Sequence, residues 1–180
     1  GAIDTLKQID WEWYGQILEK DLDAQIPGTE GYFIIADRNT AGLTENSLRV
    51  RGYEKWYMDT VLDPRGVEAL LERMTVDKIR YWDLVADWAE RNGWLQRIGV
   101  AAECDDLGTQ HATILDPGQL RSMVIPRLKR IFLHIKSRIP GVKIFFHSCG
   151  AVRELIPDLV ESGMDILNPV QYTAKGMELK

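Results

Sequence analysis

Short apolar segments alternate with longer amphipathic segments along this chain, and no other feature constrains its fold as strongly. The short segments have the length of strands that are buried on both faces, whereas the long ones repeat apolar residues at helical spacing. We predict strands at residues 31–36, 98–104, 142–146 and 164–168. Because parallel strands need a long crossover and a helix supplies it, the alternation predicts an α/β fold with a parallel sheet.

Two Asp-Pro pairs mark the starts of predicted helices, since aspartate caps a helix and proline fits its first turn. They are Asp63-Pro64 and Asp116-Pro117. We predict helices over residues 64–92, 117–135 and 151–162, with Pro126 kinking or interrupting the second. The residues of the third helix that we expect to face the core are Val152, Leu155, Ile156, Leu159 and Val160. The tryptophan-rich segment 9–14 precedes only a weak helical pattern.

Four strand and helix units amount to half of an eight-stranded (β/α) barrel, whose complete form has about 250 residues. The chain has 180 residues and ends where the helix after the fourth predicted strand should begin. We therefore expect residues 1–180 to form a single domain that is part of a (β/α)8 TIM barrel, an internal fragment with both ends missing. A smaller open sheet is the alternative.

Polar residues follow each of the four predicted strands. In parallel α/β sheets the ligand site lies beyond the carboxyl ends of the strands, so these residues are expected on one rim. They are Asp37 and Arg38 at the first strand, Cys104, Asp105 and Asp106 at the second, His147 and Cys149 at the third, and Asn168 and Gln171 at the fourth. Their convergence predicts an active site on that rim.

His147 and Cys149 are the strongest candidates for metal ligands. Imidazole nitrogen and thiolate sulfur are ligands that zinc prefers, and catalytic zinc sites use about three protein ligands and leave one position open. The alternative is a buried thiol beside a histidine that binds a backbone group. Cys104 could also be a ligand, but a small core residue is the more common role for a lone cysteine at a strand end.

The other polar candidates each have a structural alternative. One residue of the pair Asp105 and Asp106 could cap a helix or loop while the other acts as a catalytic base or substrate anchor, and their spacing leaves open which does which. Asn168 and Gln171 could orient a polar substrate or tie down the loop backbone. We expect Asp37 and Gln110 to bind substrate. The role of His111 stays open, and His134 is expected on a solvated helix face. Core or subunit contacts are expected for the tryptophans Trp56, Trp82, Trp88 and Trp94.

Composition excludes several classes of function. The net charge of −5, with acidic and basic residues mixed, argues against nucleic acid as a partner. No apolar run approaches the roughly 18 residues of a membrane span, and residues 1–4 lack the features of a signal peptide, so we expect a cytoplasmic protein. A disulfide between Cys104 and Cys149 is possible in principle, but so few cysteines favour buried thiols or ligands.

Several motifs, in order along the chain, resemble the uroporphyrinogen decarboxylase superfamily. They are CDDLGTQ at 104–110, PRLKR at 126–130, HSCG at 147–150 and DILNPVQ at 165–171. The chain is most similar to the branch that contains the cobalamin-dependent methyltransferases. The resemblance covers about residues 30–180 and implies an eight-stranded (β/α) barrel.

The resemblance implies one of two reactions. In the methyltransferase branch a His-x-Cys pair and a later cysteine hold zinc, which lowers the pKa of an acceptor thiol that takes a methyl group from a corrinoid protein. His147 and Cys149 match the pair, and the later cysteine would fall beyond Lys180. In the decarboxylases an arginine, an aspartate and a tyrosine act on a tetrapyrrole without a metal. The first two would precede this chain, and Leu43 and Thr44 stand near the tyrosine position.

Three hypotheses follow from these observations. The first is a zinc-dependent methyltransferase that moves a methyl group between a corrinoid protein and a thiol, with an incomplete metal site in this chain. The second is a uroporphyrinogen decarboxylase of porphyrin biosynthesis, acting on a tetrapyrrole. The third is a catalytically silent half-barrel that acts as an assembly module. Half a barrel leaves sheet edges and apolar surface open, so we also expect a homo-oligomer.

Overall fold

The computed structural model describes residues 8–178 of the chain. The expectations for residues 1–4 and for the last two residues of the chain lie outside that range. Within it, every helix is too short or too polar to cross a membrane.

Four parallel strands form one sheet in chain order. They are β1 (Ile34–Ala36), β2 (Ile98–Cys104), β3 (Lys143–His147) and β4 (Ile166–Asn168). Cys104 is paired with His147, and His147 is paired with Asn168, so three strands end side by side. This order of consecutive parallel strands confirms the predicted α/β fold of four strand and helix units, as in part of a barrel.

Two of the strands are shorter than predicted, for local reasons. β1 starts at Ile34 because Gly31 has a φ of 88° in a turn that the Tyr32 N–H closes on the Thr29 carbonyl. β4 starts at Ile166 because the Met164 N–H still bonds to the carbonyl of Leu159 in the preceding helix. In contrast, β3 extends one residue beyond the prediction, to His147.

The two long crossovers form as predicted. Helix α4 (Pro64–Arg91) starts where the Asp63 side chain accepts the Gly66 N–H, and it stops before Gly93, whose φ is 74°. The second crossover consists of α5 (Pro117–Met123) and α6 (Ile125–Arg138). The interruption at Pro126 is confirmed, because proline lacks the N–H that a continuous helix would need and instead fits the first turn of α6.

The third crossover differs from the prediction. Helix α7 spans only Ile156–Glu161 and follows a 3-10 turn at Arg153–Leu155. Leu159 is fully buried, whereas Val160 is 56% exposed, so the inward orientation predicted for Val160 was wrong. Successive helical residues are rotated by about 100°, which turns Val160 to solvent once Leu159 faces the core.

Two of the helices before α4 were missed by the sequence patterns, and a third was indicated only by the weak helical pattern after segment 9–14. They are α1 (Trp11–Gln25), α2 (Leu43–Arg51) and α3 (Tyr53–Leu62). Helix α1 starts where Asp10 accepts the Trp13 N–H at 3.0 Å. Gly52, with a φ of 86°, separates α2 from α3 and breaks the helical pattern into two short pieces.

The helices cover one face of the sheet, and the other face is open. Phe146 on β3 contacts Phe132 on α6, with 5.5 Å between the ring centroids. On the opposite face, Ile35 and Ile166 are 68% and 39% exposed. In a closed barrel this face would line the interior.

The helix side of the sheet contains a buried ion pair. Lys78 on α4 donates to Glu103 on β2 at 2.6 Å, and the indole N–H of Trp82 donates to the other carboxylate oxygen at 2.7 Å. The tryptophans Trp56, Trp82 and Trp88 lie in the core, as expected, whereas Trp94 is only partly buried beneath the Arg97 guanidinium.

Candidate metal centre

Three metal-ligating side chains meet at the carboxyl end of the sheet: Asp106, His147 and Cys149. One donor atom from each lies within 4.8 Å of the others. His147 Nε2 is 3.4 Å from Cys149 Sγ and 3.7 Å from Asp106 Oδ1. Tetrahedral zinc with bonds of about 2.0–2.3 Å separates its donor atoms by roughly 3.3–3.7 Å. The donor types and the two distances from His147 Nε2 are therefore compatible with a zinc ion.

The loops after β2 and β3 pack tightly and thereby place Cys149. Gly150 has a φ of 84°, and a Cβ on it would lie 2.5 Å from the Gly108 carbonyl carbon. A Cβ on Gly108 would lie 2.7 Å from the Cys149 carbonyl oxygen. Both positions therefore require glycine, and the close approach turns the chain directly after the third strand.

A hydrogen bond from the backbone of Cys149 orients the Asp106 side chain toward His147 and Cys149. Its Oδ1 accepts the Cys149 N–H at 3.0 Å, and its side chain is 43% exposed. The sequence expectation placed the third zinc ligand beyond Lys180. The structure instead offers a third donor from within the chain.

Asp105 turns the other way and caps a helix. It has no exposed surface, and its carboxylate accepts hydrogen bonds from the Thr44 N–H at 3.0 Å, the Glu45 N–H at 3.3 Å and the Thr44 hydroxyl. Burial raises the pKa of Asp105 to about 7, against the opposing effect of these hydrogen bonds. Of the two adjacent aspartates, Asp105 is therefore the capping residue, with no surface open to a substrate.

The two amides predicted to bind substrate contact the metal-ligand loops. Asn168 Oδ1 is 2.9 Å from His147 Nδ1. Gln171 Oε1 accepts the Gly150 N–H at 2.9 Å, and Gln171 Nε2 donates to Gln110 Oε1 at 2.9 Å. Substrate binding by Asn168, Gln171 and Gln110 stays a prediction.

A polar cleft of about 350 Å³ opens beside the cluster. Its lining residues are Asp37, Arg38, Asn39, Thr40, Ala41, Glu45, Arg49, Cys104, Asp106 and His147. Arg38 pairs with Asp37 at 3.0 Å, and Arg49 pairs with Glu45 at 3.5 Å. Asp37 thus lies on the rim as expected, within reach of a ligand in this cleft.

Glu45 and Arg49 were not among the sequence candidates. Both belong to α2, a helix that the apolar pattern did not predict. Glu45 accepts the Gly42 N–H at 3.1 Å, which is the carboxylate half of a capping box. A glutamate three residues after a possible N-cap is a signal that could have located this helix, although Gly42 lacks the side chain of the usual Ser/Thr capping box.

The two cysteines are free thiols with different surroundings. Burial raises the pKa of Cys104 to about 12, and its side chain borders the polar cleft rather than the apolar core between sheet and helices. Burial and the nearby Asp106 carboxylate raise the pKa of Cys149. Cys149 is therefore a thiol at neutral pH unless a cation is bound beside it.

The other histidines lie away from the cluster. His111 is in an exposed loop. His134 Nε2 lies 2.9 Å from Asp83 Oδ1, and Arg138 binds the same carboxylate at 2.7 Å. His134 is therefore only partly exposed on its helix face, because its ring also contacts the Asp83 carboxylate between α4 and α6.

The chain matches one protein family and shares its fold with a known structure. Residues 43–169 match the family model of uroporphyrinogen decarboxylase (URO-D). The fold is similar to that of a methyltransferase from Methanosarcina mazei, with a TM-score of 0.60 and 15% sequence identity. The similarity covers 85% of this chain and 40% of that one, so this chain spans less than half of its length. No curated protein sequence matches the chain.

Proposed function

The chain belongs to the uroporphyrinogen decarboxylase (URO-D) family, and on that premise we propose that it is part of a zinc-dependent methyltransferase. The proposed reaction moves a methyl group between a corrinoid carried by a partner protein and a thiol. Its main support is the cluster of Asp106, His147 and Cys149 at the carboxyl end of the sheet. The methyltransferase-like fold agrees with this choice within the family.

In this proposal Asp106, His147 and Cys149 hold the zinc ion. A bound zinc ion would supply Lewis acidity that lowers the pKa of an acceptor thiol, so that a nucleophilic sulfur exists at neutral pH. Three protein donors leave one tetrahedral position open. The side chains of His147 and Asp106 are 33% and 43% exposed, so a thiol can approach that position from the cleft.

In the proposed transfer the acceptor thiol loses its proton to solvent, to which the cleft is open, and its sulfur forms a bond to the methyl carbon. The cobalt–carbon bond of the methylated corrinoid breaks, and both of its electrons stay on cobalt. Asp37 on the cleft rim is a candidate contact for the acceptor, whereas Asp105 supports the site through α2.

A methyl-transfer assay tests this function. The chain is loaded with zinc and incubated with methylcobalamin and a series of small thiols, and loss of methylcobalamin is followed by absorbance. We expect turnover that a chelator abolishes and added zinc restores. Turnover that is unaffected by the chelator, or equal in the Cys149→Ala variant, would contradict the proposal.

A second candidate function is decarboxylation of a tetrapyrrole, which the description of the matching family favours. This reaction would need no zinc. Incubation with uroporphyrinogen and chromatography of the oxidised products would detect stepwise loss of carboxyl groups. Such products from a zinc-free sample would favour decarboxylation over methyl transfer.

The third hypothesis, a silent assembly module, is favoured by the open face of the sheet. Ile35 and Ile166 expose apolar side chains there, and burial of such a face stabilises an oligomer. Light scattering would test this hypothesis, since a monodisperse monomer at micromolar concentration would contradict it.

A further inference from the structure

We infer that Asn168 and Gln171 position the ligands of the metal centre, and that they do so from one segment at the end of β4. Asn168 sets the tautomer of His147, and Gln171 fixes the loop that carries Cys149. The inference rests on the proposed zinc site and deepens it, since it assigns the residues that hold the two soft ligands in place.

The contact between Asn168 and His147 determines which imidazole nitrogen is free. An amide oxygen only accepts hydrogen bonds, so the Asn168 Oδ1 at 2.9 Å requires a proton on His147 Nδ1. The neutral ring then has its lone pair on Nε2, the nitrogen that faces Cys149 and Asp106. This tautomer is the one that can bind a cation between the three side chains.

Strand pairing holds Asn168 in position for this contact. Asn168 is paired with His147 in the parallel ladder of β3 and β4. Its carbonyl oxygen also accepts the Ser148 N–H at 2.9 Å. The amide therefore reaches the imidazole from a fixed backbone rather than from a mobile loop.

Gln171 acts on the other soft ligand through the backbone. Its Oε1 accepts the N–H of Gly150, directly after Cys149, while Asp106 accepts the N–H of Cys149 itself. Two consecutive N–H groups are thus bound by side chains from two different loops. Their fixation holds Cys149 Sγ toward His147.

The same contacts already occupy both ends of the Gln171 amide and the oxygen of the Asn168 amide. Gln171 uses both ends of its amide, because Nε2 donates to Gln110. Asn168 uses its amide oxygen on His147. Positioning therefore accounts for the amide oxygens of both residues and for the Gln171 amide N–H, whereas the amide N–H groups of Asn168 stay available to a substrate.

Variants at these two positions test the inference. Asn168→Leu and Gln171→Leu remove the acceptor oxygens at similar volume, whereas Asn168→Asp and Gln171→Glu retain them. Zinc affinity is measured by competition with a chromophoric chelator. Loss of such supporting contacts typically weakens metal binding by about 10–100-fold. We expect that loss in the leucine variants, and affinities within about threefold of the parent chain in the acidic ones.

Asn92→Leu is the matched control. Asn92 donates its side-chain amide to the Trp88 carbonyl at the end of α4, so the same substitution costs a part-buried hydrogen bond far from the cluster. It should lower thermal stability but leave zinc affinity unchanged. Two results would overturn the inference. One is a zinc affinity of the leucine variants equal to that of Asn92→Leu. The other is a zinc affinity of the acidic variants as low as that of the leucine variants.

Nitrogen-15 NMR of His147 in the zinc-free chain provides a readout that is independent of metal binding. The parent chain should show a proton on Nδ1, and Asn168→Leu should show a mixture of the two tautomers. A parent chain that binds no zinc but shows this tautomer would contradict the proposed function and not the role of Asn168. An Nε2-protonated ring in the parent chain would contradict that role directly.

Discussion

Asp105 and Asp106 are adjacent in the chain but serve different parts of the structure. Asp105 is fully buried against the first turn of α2, whereas the Asp106 carboxylate lies 3.7 Å from His147 Nε2. The strand ends at Cys104, and the chain between Asp105 and Asp106 turns so that one side chain supports a helix and the other joins the cluster. Substitution of Asp105 should therefore affect mainly stability, whereas substitution of Asp106 should affect mainly metal binding.

Alanine substitution at each position should show this separation. Asp105→Ala leaves the N–H groups of Thr44 and Glu45 without their acceptor, so we expect the free energy of unfolding to fall by about 1–3 kcal/mol. Asp106→Ala removes the acceptor of a single part-buried N–H, that of Cys149, so it should lower that energy by less than Asp105→Ala does, about 0.5–1 kcal/mol, but abolish stoichiometric zinc binding. Urea unfolding in chelator and zinc analysis by mass spectrometry measure the two effects, and equal effects on both quantities would contradict the assignment.

Gly150 should tolerate no side chain, for a reason beyond its positive φ. Alanine in the left-handed region costs about 1–2 kcal/mol, and at Gly150 its Cβ would also lie 2.5 Å from the backbone of Gly108. Gly150→Ala should therefore lose more stability than that and also weaken zinc binding. Gly141 is the matched control, because its φ is 86° and nothing lies within 4 Å of the added Cβ. If Gly150→Ala and Gly141→Ala behave alike, the close approach of the two loops has no energetic role.

The buried pair of Lys78 and Glu103 should be sensitive to removal of one partner. Lys78→Met would leave the Glu103 carboxylate buried and uncompensated, at a cost of about 3–5 kcal/mol. The double variant Lys78→Met with Glu103→Gln removes that charge, so it should be more stable than Lys78→Met alone. Thermal unfolding of the two variants checks this order, and the reverse order would contradict it.

Asp165 should contribute an acid-sensitive part of the stability. Burial opposes ionisation of Asp165, but hydrogen bonds from Lys136 and the Ile144 N–H outweigh it and lower the pKa of this carboxyl group. A lowered pKa means that the stabilisation is present above the unfolded-state pKa of about 3.9 and is lost as the pH falls through the folded-state value.

Asp165→Asn should therefore destabilise the protein at pH 7 by about 1 kcal/mol or more, with a difference that shrinks below about pH 4. Urea unfolding across this pH range measures the effect. Asp21 is exposed, so Asp21→Asn serves as the control and should show little difference at any pH. If the free energy of unfolding of Asp165→Asn stays below that of the parent chain by the same amount in acid, the stabilisation does not depend on the charge of Asp165.

The sequence was sufficient to place His147 and Cys149 together at the carboxyl end of the sheet, because they stand at and just after the end of an apolar strand and the ligand site of a parallel sheet lies at that end. It was not sufficient to show that the Asp106 side chain, rather than that of Asp105, lies beside them. That position depends on the direction of the loop after β2, which is determined by burial of Asp105 and by the contact between Gly108 and Gly150. These are contacts between distant segments, and local spacing does not encode them.

Long-range contacts also explain why the sequence did not predict α2 or its residues in the cleft. The segment 43–51 is short and polar, so its apolar residues do not form a clear helical repeat. Its position depends on the cap that Asp105 provides from 61 residues away in the chain. Glu45 and Arg49 enter the cleft only as a consequence of that long-range contact.

X-ray absorption at the zinc edge, on zinc-loaded protein in thiol-free buffer, tests the metal centre most directly. A centre of Asp106, His147 and Cys149 predicts one sulfur at about 2.3 Å and nitrogen or oxygen donors at about 2.0–2.2 Å. The Cys149→Ala variant should lose the sulfur signal. Two or more sulfur donors, or a spectrum unchanged by Cys149→Ala or Asp106→Ala, would contradict the assignment of this centre.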